Sequence, residues 1–396
     1  MSELKIRADS IRPYRVAVVA ACPFPCPRGT PIRIYRTAEA LARRGHDVHV
    51  VTYHLGDPCE APPFTIHRIA DVPTYRKYSP GPSWQKLGIV DPLVVGRLRD
   101  LMRASGFDVI YAHHVEGLLL ALAARGRMQV PIVFDAHTLL ESELPFYPMG
   151  LGHSLKAGVG RVLDTVLPRF ATGVIAVSEE IRRAFEAHSP ELVGRISVIP
   201  NGVEVDAFDL GPGSAASGRN TLIYTGNLAA YQGIDLMLRA FAALRSKRQD
   251  VRLEIVAESG FAQYEPLALE LGVRDSIDLI PLSFTEVPQR LAAATVALNP
   301  RTQCGGVPQK LLNYMAAGRP IVSFAGSAKH LRHGEDGWVV ANDDVGGFAD
   351  AINHLLEDRP MARIMGEKAR QYVRAERSWE SVGQRIEQVF RDVHGD

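Results

Sequence analysis

The chain has 396 residues, 46% of them hydrophobic and 22% charged, which is enough for two or three ordinary domains with full cores. Lys and Arg number 45 against 44 Asp and Glu, a formal net charge of +1 without a polybasic tract, and this argues against a nucleic-acid partner. Four cysteines (Cys22, Cys26, Cys59, Cys304) are too few for a disulfide framework at this length and fit a reducing, cytoplasmic setting; the opening MSELKIRADSIRPYR has no signal-like apolar stretch, and no later run approaches the roughly 18 apolar residues that span a bilayer.

The run 16–21 (VAVVAA) predicts a strand. A proline-rich loop, CPFPCPRGT, follows it, and PIRIYRTAEALARRG then repeats Ile34, Ala38, Leu41 and Ala42 at helical spacing. Thr30 is placed to cap that helix, Pro31 suits its first turn, Gly45 suits its end, and 48–52 (VHVVT) reads as the next strand. Such a βαβ crossover implies a parallel sheet. The alternation continues with strand 109–112 (VIYA), helix 116–124, strand 132–135 (IVFD), a helix near 155–170, strand 174–177 (VIAV), a helix over SEEIRRAFEAH and the strand ISVIPNGV. Together these make one doubly wound, Rossmann-like α/β domain over 1–205. A Gly/Ser/Ala-rich stretch without periodicity, 206–220, reads as a linker.

The pattern restarts with strand 221–225 (TLIYT), helix 234–244, strand 253–256, helix 264–271, strands 277–280 and 296–299, helix 308–317 and strand 321–324, so a second doubly wound domain occupies 221–375. Residues 376–396, with Val382, Ile386 and Val389 on one face, form an amphipathic tail suited to pack back on the N-terminal domain.

Two such domains are expected to bring the carboxyl ends of two parallel sheets to a central cleft, the usual ligand site of this architecture. Arg28, Gly29 and Thr30 stand before a helix N-terminus that can offer N–H groups to an anion or a sugar hydroxyl; G-x-G-x-x-G is absent. In TLIYTGNLAAYQGIDLMLRAF, Gly226 closes a turn and Gly233 opens a helix, which would set N–H groups beside a diphosphate. RTQCGGVPQKLLNYMAAGRPIVSF puts Gly305 and Gly306 before a helix whose first turn holds Lys310, where the macrodipole disfavours a cation unless an anion is near. The first domain offers His113, His114 and Glu116 after one strand and Asp135-Ala136-His137 after another, while Glu141 and Glu143 read as a solvated loop face. No HExxH or Cys/His cluster occurs, and Cys22-x3-Cys26 lacks a second pair, so no metal is expected. The stretch 75–103, with Tyr78, Trp84, Lys77, Lys86, Arg97 and Arg99, and the helix near 156–169 are candidates for acceptor or membrane-surface contact, with ordinary helix packing the plainer reading.

VIPNGV, YTGN with YQGIDLMLRAF, and KLLNYMAAGRPIV followed by HGEDGWVV resemble glycosyltransferase family 4, retaining enzymes of GT-B fold, and the likeness runs from VAVVAA to the C-terminal helices. The resemblance implies transfer of a sugar from a nucleotide diphosphate sugar to a glycan, lipid-linked saccharide or small metabolite, with retained configuration, no metal and no cofactor besides the donor. It implies a cytoplasmic enzyme, with peripheral contact at the inner membrane surface as one setting. The sequence departs from the family at the donor site. The E-x7-E pair falls on Gly305 and Asn313, and the usual Arg and Lys fall on Asn227 and Gln232. Arg301, as a fork, and Lys310, as a point charge, are expected to meet the diphosphate instead. His137, in DAHT, matches the family's first-domain histidine and is expected to orient the donor sugar or departing phosphate, with Gly226, Asn227, Gln232, Gly233, Gly305, Gly306 and Asn313 on the donor side and Arg28, Gly29, Thr30, His114 and Glu116 on the acceptor side. Two rivals stand beside the transferase: a non-catalytic GT-B subunit, motivated by the lost carboxylates, and a nucleotide-sugar epimerase, disfavoured because it needs carboxylates near the sugar.

Overall fold

The structure, a computed structural model, describes residues 12–27, 29–79, 81–147, 152–209, 220–257, 260–281, 286–304 and 307–395. The chain forms two compact units, Met1–Asn201 with Val382–Asp396, and Gly202–Ser381.

The first unit is built on seven parallel strands: β1 (Arg15–Ala20), β2 (Asp47–Thr52), β3 (Thr65–Arg68), β4 (Val109–His113), β5 (Ile132–Ala136), β6 (Gly173–Ala176) and β7 (Ile196–Val198). Their order is β3-β2-β1-β4-β5-β6-β7. β1 lies between β2 and β4, with Val16 in register with both Val48 and Val109, so the winding reverses there and opens a crevice beyond the strand ends. β4 and β5 are buried throughout, which is why they read as unbroken apolar runs. Two elements escape that periodicity. β3 is a four-residue, half-buried edge strand, and the helix Asp91–Ser105 buries only Asp91, Val94, Leu98 and Met102.

The second unit carries six parallel strands, β8 (Asn220–Thr225), β9 (Val251–Ala257), β10 (Ile277–Pro281), β11 (Val296–Asn299), β12 (Ile321–Phe324) and β13 (Trp338–Val340), in the order β10-β9-β8-β11-β12-β13. Its reversal falls between β8 and β11. The helix Ile234–Lys247 buries Ile234, Met237, Leu238, Phe241 and Leu244 at the predicted spacing. Each such side chain stabilises the fold by roughly 1.5–3 kcal/mol.

The second unit begins before the expected boundary: Val203 and Val205, expected in the first domain, and Phe208, in the expected linker, are buried with Leu291, Leu311 and Leu312 in the second unit, and β8 already begins at Asn220; the intervening 210–219 lie outside the described residues. The helix Trp379–His394 spans the boundary between the units, and its part beyond residue 381 completes the first one. Phe390 meets the rings of Tyr14 (6.2 Å) and Tyr111 (5.6 Å) edge-on, and a Cβ on Gly383 would lie 2.9 Å from that of Ala40.

Candidate functional site

In the first unit, the crevice side is organised by a buried ion pair. Arg33 lies on the inner face of the helix Gly29–Arg43; it is 2% exposed and Asp135, near the end of β5, is 0% exposed. Arg33 Nε donates to Asp135 Oδ2 (2.9 Å) and Nη2 to Oδ1 (3.1 Å), while the rest of the fork reaches the Ile199 carbonyl (2.9 Å) and Asn201 Oδ1 (3.1 Å). The Tyr111 hydroxyl also donates to Asp135 Oδ2. Burial pushes the Asp135 carboxyl up, yet the charge of Arg33 above all holds it well below the usual range. That helix already includes Gly29, so Thr30 sits inside its first turn rather than capping it. Arg33 and Tyr111 have no counterpart in the sequence reading. Their only signal is an Arg beside Ile34 on an apolar helix face and a Tyr within an otherwise aliphatic strand.

His137 rests on this pair. Its Nδ1 is 3.1 Å from Thr30 Oγ1 and its Nε2 3.2 Å from His113 Nδ1. Both ring nitrogens are thus engaged within the unit, and burial pushes the His137 and His113 pKa values down, favouring neutral rings. His113, Asp135 and His137 bring three ligand-type atoms within 4.8 Å of one another. They do not fit a metal ion, because Asp135 Oδ2 already accepts from Arg33 and Tyr111 and the guanidinium would repel a second cation.

A second cluster adjoins it. His114, where β4 turns into the helix His114–Arg125, has φ 62°, a left-handed conformation that strains a residue with a side chain. Its Nε2 is 3.0 Å from Glu143 Oε2 and 3.1 Å from Thr138 Oγ1, and the hydroxyls of Thr138 and Tyr147 donate to Glu143. Although burial raises a carboxyl, His114 and the two hydroxyls draw Glu143 down to about 2; burial lowers an imidazole, yet Glu143 outweighs it and raises His114. Glu143 is therefore the hub of a buried-side network and not a solvated loop face: the short helix Leu140–Glu143 carries it back toward His114. Glu141 does face outward and pairs with Arg161.

Glu116 accepts from Lys86 Nζ (2.9 Å), which also reaches Asp91 (3.3 Å), so Lys86 is a buried, neutralised cation rather than a surface one. Lys156 is likewise inward, donating to the carbonyls of Pro145 and Tyr147 at 2.8 Å. Gly29 is not sterically required, since a Cβ there would meet nothing within 4 Å. Arg28 lies outside the described residues.

In the second unit Gly226, Asn227, Gln232, Gly233, Arg301 and Lys310 gather at the ends of β8 and β11. Gly233, at φ 71°, lets the start of the helix Ile234–Lys247 approach the next loop; a Cβ there would lie 2.2 Å from the Pro300 carbonyl oxygen. Lys310, in the first turn of the helix Gln309–Ala316, donates to Tyr224 Oη (2.8 Å) and Gln232 Oε1 (2.7 Å), with Nζ 4.1 Å from the Tyr224 ring centroid. Burial, then the charge of Arg301, push Lys310 down to about 7. Arg301 lies 4.8 Å over the Tyr231 ring, and its Nε donates to the Gln303 carbonyl. Asn227 braces this floor: its Oδ1 accepts from Ala229 N (3.2 Å) and Gln232 Nε2 (3.3 Å), and its Nδ2 donates to Tyr231 Oη (3.3 Å). A Cβ on Gly226 would stand 3.5 Å from Lys310 Nζ. Asn313 lies one turn beyond Lys310, half-buried; Gly305 and Gly306 are outside the described residues. Tyr224 and Tyr231 are additions to the predicted set, legible only as aromatics in YTGN and AYQG.

Two parallel α/β units, each with polar side chains gathered at its sheet's carboxyl ends, define a GT-B architecture. Residues 27–207 match the profile of Glycosyltransferase Family 4 and residues 219–358 that of Glycosyl transferases group 1, and the chain belongs to the family-4 type of glycosyltransferase. It is 26% identical over 406 residues, 93% of this chain and 87% of the other, to the D-inositol 3-phosphate glycosyltransferase of Nocardia farcinica. An exopolysaccharide phosphotransferase of Streptomyces coelicolor is 29% identical over 219 residues, 54% of this chain but only 23% of that longer protein. The crystal structure of Anabaena HepE in complex with UDP superposes with a TM-score of 0.69 at 18% identity, covering 96% of this chain and all of the other. Among the described residues no helix is long and apolar enough to cross a membrane.

Proposed function

We propose that this transferase takes its sugar from a nucleoside diphosphate sugar held by the second unit and passes it, with retained anomeric configuration, to an acceptor held by the first. The observation that carries this reading is Lys310, a half-buried lysine hydrogen-bonded, among the described residues, only to neutral oxygens, with Arg301 close enough to lower its pKa. Two cations that repel one another and, among the described residues, bond no carboxylate make a site with a deficit of negative charge, which a diphosphate supplies. As the glycosidic bond breaks, charge grows on the leaving diphosphate, and Lys310 and Arg301 stand ready to stabilise it in place of a metal ion. HepE, bound to UDP in its crystal structure, supports this donor class. The His114–Thr138–Glu143 cluster and Thr30 offer hydrogen-bonding groups to acceptor hydroxyls.

The acceptor reaches the first unit at a membrane surface in this reading. The helix His153–Val166 turns Leu155 (57% exposed), Val159, Val162 (61%) and Val166 outward along one face, with Phe146 (82%) beside His153. Absence of binding to anionic vesicles at low salt refutes that placement without touching the donor assignment. The donor assignment is tested by nucleoside diphosphate release from a panel of UDP-, GDP-, ADP- and dTDP-sugars. Release from one donor class, lost in Lys310→Met, is expected; silence across the panel from a protein that still binds nucleotide overturns the reading in favour of a non-catalytic subunit.

A further inference from the structure

We propose that His113 is a positioning residue that fixes the tautomer of His137 and so makes the Thr30 hydroxyl the hydrogen-bond donor that the first unit presents to substrate. The starting point is an asymmetry in the His113 ring. Its Nδ1 faces Asp135 Oδ2 at 3.4 Å and His137 Nε2 at 3.2 Å, whereas its Nε2 is buried with no hydrogen-bond partner. A neutral imidazole has one N–H and one lone pair. A proton on Nε2 would leave a buried donor unmade and point a lone pair at a carboxylate; a proton on Nδ1 leaves only an unfilled acceptor and aims the N–H at Asp135 and His137. Orphaned buried donors are the rarer and costlier defect, so His113 carries its proton on Nδ1.

The consequence passes along the ring pair. His137 Nε2 becomes the acceptor from His113, and at 3.8 Å it is too far from Asp135 Oδ2 to donate there. Its proton therefore sits on Nδ1, directed at Thr30 Oγ1 3.1 Å away. Thr30 accepts from His137 and keeps its own hydroxyl hydrogen free to donate. Thr30 is half-exposed in the first turn of its helix, whereas His113 and Asp135 are sealed in the core. Donation runs in one direction, from His113 Nδ1–H, whose orientation the Arg33-locked carboxylate favours, through the neutral His137 ring, to a hydroxyl at the crevice, and hydrogen bonds aligned in this way strengthen one another. His137 then acts by orienting Thr30, since neither of its nitrogens is available to a sugar as long as the array is intact.

This inference rests on the proposed acceptor side of the first unit, but its primary readout does not need turnover. In protein labelled with ring-15N histidine, with the His137 signal assigned by its loss in His137→Gln, the unaltered protein is expected to show His137 in the Nδ1–H form. His113→Leu should move it to the Nε2–H form, whereas His113→Asn, whose amide nitrogen can replace Nδ1 as donor, should restore the Nδ1–H form. On an active donor, His113→Leu should lower kcat about tenfold or more with donor KM unchanged, the pattern of a histidine held in the wrong tautomer, and His113→Asn should recover most of that loss. A His137 already in the Nε2–H form in the unaltered protein overturns the proposal, and that spectrum decides the matter even if His113→Leu does not fold. An unchanged His137 tautomer in a folded His113→Leu overturns it equally. A protein with the expected spectra but no turnover on any donor would fail the transferase reading and leave the tautomer assignment standing.

Discussion

The polar centres of the two units solve opposite electrostatic problems. In the first, the buried cation Arg33 has a fully engaged carboxylate, and His114 has Glu143. In the second, Lys310 and Arg301 stand near one another on tyrosine rings and neutral oxygens. A self-neutralised network gains little from a ligand's charge and serves to hold shape. A site left short of negative charge is less comfortable alone than occupied, which is the signature of a binding function.

The sharpest way to break this contrast is to remove one charge from each side. Asp135→Asn leaves Arg33 buried without its counter-charge and is expected to cost about 3–5 kcal/mol of folding stability, measured by denaturant unfolding. Lys310→Met should cost nothing or stabilise slightly, because it removes a desolvated ammonium. If both variants lose comparable stability, the contrast is false. In binding the order reverses: Lys310→Met should weaken nucleoside diphosphate sugar affinity roughly 10–100-fold, the about 1.5–3 kcal/mol of a charge-assisted hydrogen bond, by titration calorimetry.

A backbone substitution ranks next. Gly233→Ala would force a side chain into a left-handed conformation and against the Pro300 carbonyl, displacing the Arg301 loop, at a cost of about 1–3 kcal/mol in thermal unfolding together with weaker donor binding. The smallest effect is protonic. With Lys310 near 7 in the free site, an anion raises its pKa, so donor binding above pH 7 should take up a proton, and affinity should fall as pH rises through about 7 and level off below it. Calorimetry in two buffers of different ionisation enthalpy measures this uptake, which Lys310→Met should abolish.

Most strands were legible because a parallel sheet covered on both faces needs continuous apolar runs such as VAVVAA and VIYA, and the helices between them keep a clear inner face. β3 and the helix Asp91–Ser105 escaped because edge position and a narrow buried stripe weaken the pattern. At the candidate site, strand-end position pointed to His113, His114 and His137, and helix-dipole logic pointed to Lys310. Partnership was not legible: Arg33 lies 102 residues from Asp135, Lys310 lies 86 from Tyr224, and spacing along the chain says nothing of such pairs. Lys86 shows the opposite error, a cation whose sequence context suggested exposure but whose partners, Asp91 and Glu116, draw it inside.

The helix Trp379–His394 also sets an order of assembly. The stretch Gly202–Ser381 is contiguous and leaves the ribosome with every residue of its own unit already made, whereas the first unit, although begun earlier, lacks Val382, Ile386 and Phe390 until that whole stretch has been synthesised. During translation the Tyr14 and Tyr111 rings therefore wait, uncovered on one side, for a segment encoded some 270 codons or more downstream. The later-made unit is the first that can finish folding, and the unit that begins the chain closes last.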